Sequence, residues 1–148
     1  HRDLHSFPTR RSSDLNLPSE KALHKLVQPG KWDTAVGGHI SFGEKPELAL
    51  GRETSEEIGL KNLQTKLLTN YKWETEIERE WVFMYVALSD QIPVPDPKEV
   101  AEGKFWGRKE IESNLPKNIF TPSFEHEYKI LKRIYGMSLV LEIFLCYS

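Results

Sequence analysis

Glu53, Glu56 and Glu57 are separated by three and four positions, a spacing that on a helix, at about 100° per residue, brings three carboxylates to one face. Like charges so close weaken an isolated helix by about 0.2–0.5 kcal/mol per pair, and burial raises the cost. A divalent cation among the oxygens reverses the sign, and hard oxygen donors of this kind suit Mg²⁺ or Mn²⁺ rather than Zn²⁺. Glu44, in the loop just before, is within reach of the same cluster. Arg52 points about a quarter turn from Glu53, where it holds a neighbouring carboxylate rather than touching a metal. A glutamate-rich helix alone is most often a solvated face, so the flanking residues carry the decision.

Those acids need a helix with defined ends. Pro46 suits the first turn, where its missing N–H costs no hydrogen bond, and Gly59 suits the left-handed position just past the last turn. Together they predict a helix over residues 46–58. Leu48, Gly51, Ser55 and Ile58 fall opposite the acids, and the small ones predict a helix back that approaches other backbone closely. Upstream, 33-DTAVGGHI-40 reads as a strand ending in a tight turn at Gly37 and Gly38, whose amides are candidate donors to phosphate. His39 is a candidate for phosphate contact or proton transfer, or for a structural hydrogen bond. Trp32 is either a stacking surface for a substrate ring or a packed core aromatic.

The stretch 38–60 resembles the Nudix box, G-x5-E-x7-R-E-U-x-E-E-x-G-U with U apolar. Gly38, Glu44, Arg52, Glu53, Glu56, Glu57, Gly59 and Leu60 match it, and Thr54 departs where an aliphatic residue is usual. The resemblance extends from Gly30 to about Gly136. It implies an α/β/α sandwich with a mixed sheet and the box as loop-helix-loop. It also implies a pyrophosphohydrolase acting on acid anhydrides: hydrolysis of a nucleoside diphosphate linked to another moiety, or of a related pyrophosphate, with Mg²⁺ or Mn²⁺. The metal ligands it implies are Glu53, Glu56 and Glu57, with Glu53 or Glu44 as base for the attacking water. A later carboxylate often completes such a site, and Glu99 is favoured here over Glu102.

The run PGKWDTAVGGHISFGE is similar to bacterial Nudix hydrolases that themselves resemble isopentenyl-diphosphate isomerase. That isomerase uses a cysteine just before its box-like region, where this chain has 34-TAVGGH-39 and none. A non-catalytic Nudix-like nucleotide sensor is the other rival. Such modules usually lose box glutamates, and this box keeps them.

Downstream, residues 63–74 and 79–88 read as an antiparallel hairpin. Its second strand is apolar on both faces, with Trp81, Phe83 and Tyr85 on one and Val82, Met84 and Val86 on the other, and so is central and covered on both sides. Pro93, Pro95 and Pro97 enforce an extended loop. A short strand covers 104–106 and a short helix 109–114. A longer helix covers 121–135, with Thr121 as N-cap and Phe124, Tyr128, Leu131 and Tyr135 on one buried stripe.

The two ends are set apart from a domain spanning 16–136. Residues 1–15 show neither helical nor strand periodicity, and 6-SFPTRRSSDL-15 is what a common sequencing-adapter oligonucleotide gives when translated in one frame; the alternative is a disordered basic arm. The adapter reading implies a truncated first strand, with residues 15–17 as its remnant before a polar loop over 18–31. The apolar tail 137–148 is either a further packed segment or a second reading-frame error.

The 148 residues, 39% hydrophobic and 28% charged, suffice for one globular domain. A net charge of -2 offers no basic field for nucleic acid, and no stretch is long and apolar enough for a transmembrane helix. Cys146, the only cysteine, permits no internal disulfide, in keeping with a reducing, cytoplasmic compartment. The partner these features imply is a small-molecule diphosphate. The oligomeric state stays open, a homodimer included.

Overall fold

The computed structural model describes residues 2–11, 30–76, 79–136 and 141–147. Strands β1 (Arg2–Arg11), β2 (Trp32–Thr34), β3 (Val36–His39), β4 (Gln64–Glu74), β5 (Arg79–Leu88), β6 (Glu102–Trp106) and β7 (Leu141–Tyr147) form one seven-stranded sheet. Its main path runs β2-β7-β1-β5-β4, with β3 paired to β1 and β6 to β7. The β1–β5 pair is parallel, whereas β1–β3, β1–β7, β2–β7, β4–β5 and β6–β7 are antiparallel, so the sheet is mixed. Helix α1 (Pro46–Ile58) lies on one face, and α2 (Arg108–Asn114) and α3 (Pro122–Tyr135) on the other. This is the expected α/β/α sandwich.

Alternation along β5 shows how the faces divide. Met84 packs with Phe124, Tyr128 and Leu131 of α3, whereas the next residue, Tyr85, packs with Ala49 and Leu50 of α1. The expectation of a central β5 holds, because β1 and β4 flank it. On the α3 side, Trp106, Phe120, Phe124 and Tyr128 form a chain of aromatic contacts with centroids 5.3, 4.9 and 5.8 Å apart. Helix α3 is capped by Thr121, whose hydroxyl accepts from the Phe124 N–H at 3.2 Å, and ends at Gly136 with φ 53°.

Strands form near both ends of the chain, and one expectation, the glycine turn, needs correction. Residues 1–15 carry no strand periodicity, yet Arg2–Arg11 forms β1 between β5 on one edge and β3 and β7 on the other. A main-chain ladder binds through backbone groups, which leave no residue signature. At the other end the folded unit runs past residue 136. There β7 pairs with β1, β2 and β6 and buries Ile143, Phe144, Leu145 and Cys146. Gly37 and Gly38 lie within β3 rather than in a turn; the chain turns at residues 41–45, where Gly43 takes φ 78°. The expected strand remnant at 15–17, nearly all of the loop 18–31, and the hairpin-turn residues 77 and 78 lie outside the described residues.

Candidate active site

Helix α1 starts at Pro46 and stops at Gly59, which takes φ 66° and returns its N–H to the Ser55 and Thr54 carbonyls. Its buried residues are Ala49, Leu50, Thr54 and Ile58. The expected close-packed back is therefore not found: Leu48 is exposed, and a Cβ on Gly51 would meet nothing within 4 Å. The helix instead buries the stripe next to the acids, which presses Glu53 and Glu57 toward the sheet. Thr54, at the departing box position, is fully buried, and its hydroxyl donates to the Leu50 carbonyl at 2.6 Å, so the extra polar atom is satisfied within the helix.

The two glycines of β3 serve proximity. A Cβ on Gly38 would lie 2.5 Å from the Glu53 carboxyl carbon, closer than any real contact, so only glycine leaves room for that carboxylate on the sheet. The Gly37 N–H donates to Glu57 Oε2 at 3.3 Å. Both acids thus rest on the same short strand.

Arg52 joins the loop acid to the helix acids. It donates to Glu44 through Nε and Nη2, both at 3.2 Å, and to Glu53 Oε1 through Nη1 at 2.6 Å; Glu56 lies 3.9 Å away. Glu44 also accepts from the Ser41 N–H at 3.0 Å. The guanidinium, followed by the Ser41 amide, holds the Glu44 carboxyl below its ordinary range, and the two carboxylates push the Arg52 pKa up.

Of the acids expected to converge, Glu53 is enclosed, its side chain 14% exposed, whereas Glu56 is 62% exposed. Among the described residues no three acid, histidine or cysteine side chains gather closely enough to hold a metal ion. Helical spacing shares out a face but does not fix side-chain torsions, and here Arg52 supplies the positive charge that draws Glu44 and Glu53 together. The chemistry of the donor set, carboxylate oxygens alone, is the kind that suits a hard divalent cation.

The remaining candidates lie elsewhere. Trp32 packs edge-on against Trp106 at 5.0 Å and against Tyr147 at 5.4 Å, in the α3-side core. The backbone of His39 is in β3. Glu99 is exposed in the loop before β6, its N–H on the Asp96 carbonyl, and Glu102 opens β6. That loop does reach the site through its backbone. The Asp96 N–H donates to the Glu57 carbonyl and the Val94 N–H to the Ile58 carbonyl, each at 2.8 Å. Sequence reading missed this tie, because backbone donors leave no residue signature; the three prolines, which fix the loop's course, were the one available hint. It also missed Glu47, which accepts from the Tyr85 hydroxyl at 3.1 Å and so anchors the start of α1 on β5.

The model of the NUDIX domain family matches residues 11–126, most of the chain. The protein belongs to the Nudix family. Nudix relatives include an uncharacterized Nudix hydrolase of Pseudomonas aeruginosa, 29% identical over 85 residues, 57% of this chain and 50% of that protein. The isopentenyl-diphosphate Delta-isomerase of Streptomyces griseus is 31% identical over 114 residues, 73% of this chain and 58% of that protein. Isopentenyl-diphosphate Delta-isomerase 1 of Photorhabdus laumondii is 26% identical over 136 residues, 86% and 77% of the two chains. This Nudix chain therefore spans between half and about three quarters of these relatives. The crystal structure of a Deinococcus radiodurans protein superimposes with a TM-score of 0.69 at 18% identity, covering 90% of this chain and 82% of that one, and shows the same fold.

Proposed function

We propose that this Nudix domain hydrolyses a diphosphate linkage, in a nucleoside diphosphate joined to another moiety or a related pyrophosphate, with Mg²⁺ or Mn²⁺ bound. The observation that carries the reading is the Glu53 carboxylate seated over Gly38, where no other residue leaves it room. Glu53, Glu56 and Glu57 would hold the cation, with Glu99 the candidate from the later loop. When bound, the ion neutralises the phosphate oxygens and polarises the phosphorus toward water.

The chain's own groups then divide the work. Glu44 is pinned by Arg52 and the Ser41 amide, and Glu44 and Glu53 are the two candidates for the base that takes a proton from the attacking water. Arg52 sets the Glu53 carboxylate in place. Gly38 and His39 are the candidates for phosphate contact from β3, and Gly37, also expected there, gives its N–H to Glu57.

Glu53→Gln and Glu57→Gln should each lower Mg²⁺-dependent release of phosphate or nucleoside monophosphate by about 10²-fold or more, equal to at least about 2.7 kcal/mol of barrier. Unchanged turnover in both variants, measured on a panel of nucleotide sugars, dinucleotides, oxidised nucleotides and prenyl diphosphates, would remove the assignment. The isomerase relatives favour a second reading, double-bond migration in a prenyl diphosphate. Against it stands the missing thiol: Cys146 is buried in β7 and directs its sulfur to the Ala35 carbonyl at 3.6 Å. Interconversion of prenyl diphosphate isomers without phosphate release would select that reading instead.

A further inference from the structure

Tyr85 is 2% exposed within β5, paired with Ser6 of β1 on one side and with Leu67 of β4 on the other. Its ring packs with Ile40 and with Ala49 and Leu50 of α1, and its hydroxyl donates to Glu47 Oε1 at 3.1 Å. A phenolic donor on a strand paired along both edges is a fixed point, whereas Glu47, in the first turn of α1, turns with its helix. The bond therefore ties the rotational setting of α1 to the sheet.

Packing does little to hold that setting on the flank where Glu47 lies. There Glu47, Leu50, Gly51 and Thr54 face a crevice of about 190 Å³, bounded on its other side by Leu60 and Leu63. Dry or hydrated, such a space gives the helix few side chains to rest on, and a Cβ on Gly51 would meet nothing within 4 Å. Glu53 stands about 120° around the helix from Glu47, on the flank above β3. A roll of α1 into the crevice lifts that flank. Side-chain ends lie about 5–6 Å from a helix axis, so a roll of about 10° carries Glu53 and Glu57 through about 1 Å. Neither seat tolerates that shift: Glu53 fits over Gly38 only for want of a Cβ, and the Gly37 N–H already spans 3.3 Å to Glu57 Oε2.

We propose that Tyr85 is a positioning residue for the hydrolysis. By holding Glu47 it stops α1 from rolling into the crevice and so keeps the Glu53 and Glu57 carboxylates on β3. Its effect on rate rests on the hydrolase reading, whereas its effect on the position of α1 does not. A misplacement of about 1 Å at reacting groups costs on the order of 10²-fold in rate.

The test compares Tyr85→Phe, Glu47→Ala and Glu47→Gln in the whole chain; the glutamine removes the charge and keeps an oxygen that accepts from Tyr85. The readouts are the Gly37 amide-proton resonance, Mn²⁺ binding followed by electron paramagnetic resonance, and Mg²⁺-dependent hydrolysis of ADP-glucose. In Tyr85→Phe and in Glu47→Ala the Gly37 resonance should move as its bond to Glu57 lengthens, and the double variant should move it no further, because each change removes the same bond. Mn²⁺ affinity should fall about tenfold and kcat about 10²-fold, with KM little changed. Glu47→Gln should keep wild-type values throughout. A lowered melting temperature with the Gly37 resonance and kcat unmoved would make the bond structural only and overturn the inference. Equal losses in Glu47→Gln and Glu47→Ala would trace them to charge and overturn it too. Should no diphosphate be hydrolysed by the wild type, a Gly37 resonance that moves in Tyr85→Phe would retain the positioning role and discard the hydrolase reading. A resonance indifferent to Tyr85 would discard the positioning role.

Discussion

The two faces of the sheet are built on different terms. The α3 face is thick and aromatic: Trp32, Trp106, Phe120, Phe124 and Tyr128 interlock, with Ile111 and Leu131 filling between them. The α1 face is thinner over the site. There two glycines meet carboxylates directly, and the Arg52 guanidinium joins Glu44 to Glu53. Close packing is insensitive to pH and costly to disturb, whereas the acid face gains its order from hydrogen bonds that a ligand can exchange. The difference teaches that stability and chemistry are carried on opposite sides of one scaffold, so that each side should fail in its own way.

The largest break comes on the aromatic side. Phe120→Ala empties a fully buried position and should cost about 3–5 kcal/mol in a urea melt. A loss below about 1 kcal/mol would mean that this face is not the main store of stability. Next, Gly38→Ala places a methyl group 2.5 Å from the Glu53 carboxyl carbon. The side chain can swing away cheaply, so the melt should hardly move while hydrolysis falls by about 10²-fold, near 2.7 kcal/mol of barrier. A melt shifted as far as that of Phe120→Ala, with activity kept, would merge the two faces.

Arg52→Ala sharpens the electrostatic half. The folded-state pKa of Glu44 lies below the ordinary carboxylate value of 4.5. Its contribution to stability is therefore complete above that pH and fades as acid protonates the carboxylate. In the variant the Glu44 titration, followed by carboxyl-carbon NMR, should return toward the ordinary value, and the acid-side difference between the two proteins should vanish at low pH. No movement of that titration would deny Arg52 its role. The smallest effect concerns Gly51, exposed in mid-helix with free space around it. Gly51→Ala should add about 0.5–1 kcal/mol of stability by relieving backbone entropy, with activity unchanged.

Much of this plan is legible in the residues. Pro46 and Gly59 mark the limits of α1, Thr121 and Pro122 the start of α3, and the doubly apolar run of β5 its central position, because each signal is local. The residues under the helix are harder to read. Gly37 and Gly38 look like a turn, since a glycine pair more often supplies torsional freedom than proximity, and only the third dimension reveals the carboxylate above Gly38. The back of α1 was misread for a related reason: small residues there face water, while the buried stripe adjoins the acids. Strand β1 is legible only through its partners.

The proline loop after β5 bears on the charge of α1 as a whole. A helix accumulates partial negative charge at its last carbonyls, and Glu56 and Glu57 sit at that unfavourable pole. The Val94 and Asp96 amides, bonded to the Ile58 and Glu57 carbonyls, bring compensating positive ends to the spot. A change of length in that loop would thus alter the field felt by the acids without replacing one of them, giving relatives with identical boxes a route to divergent metal affinity.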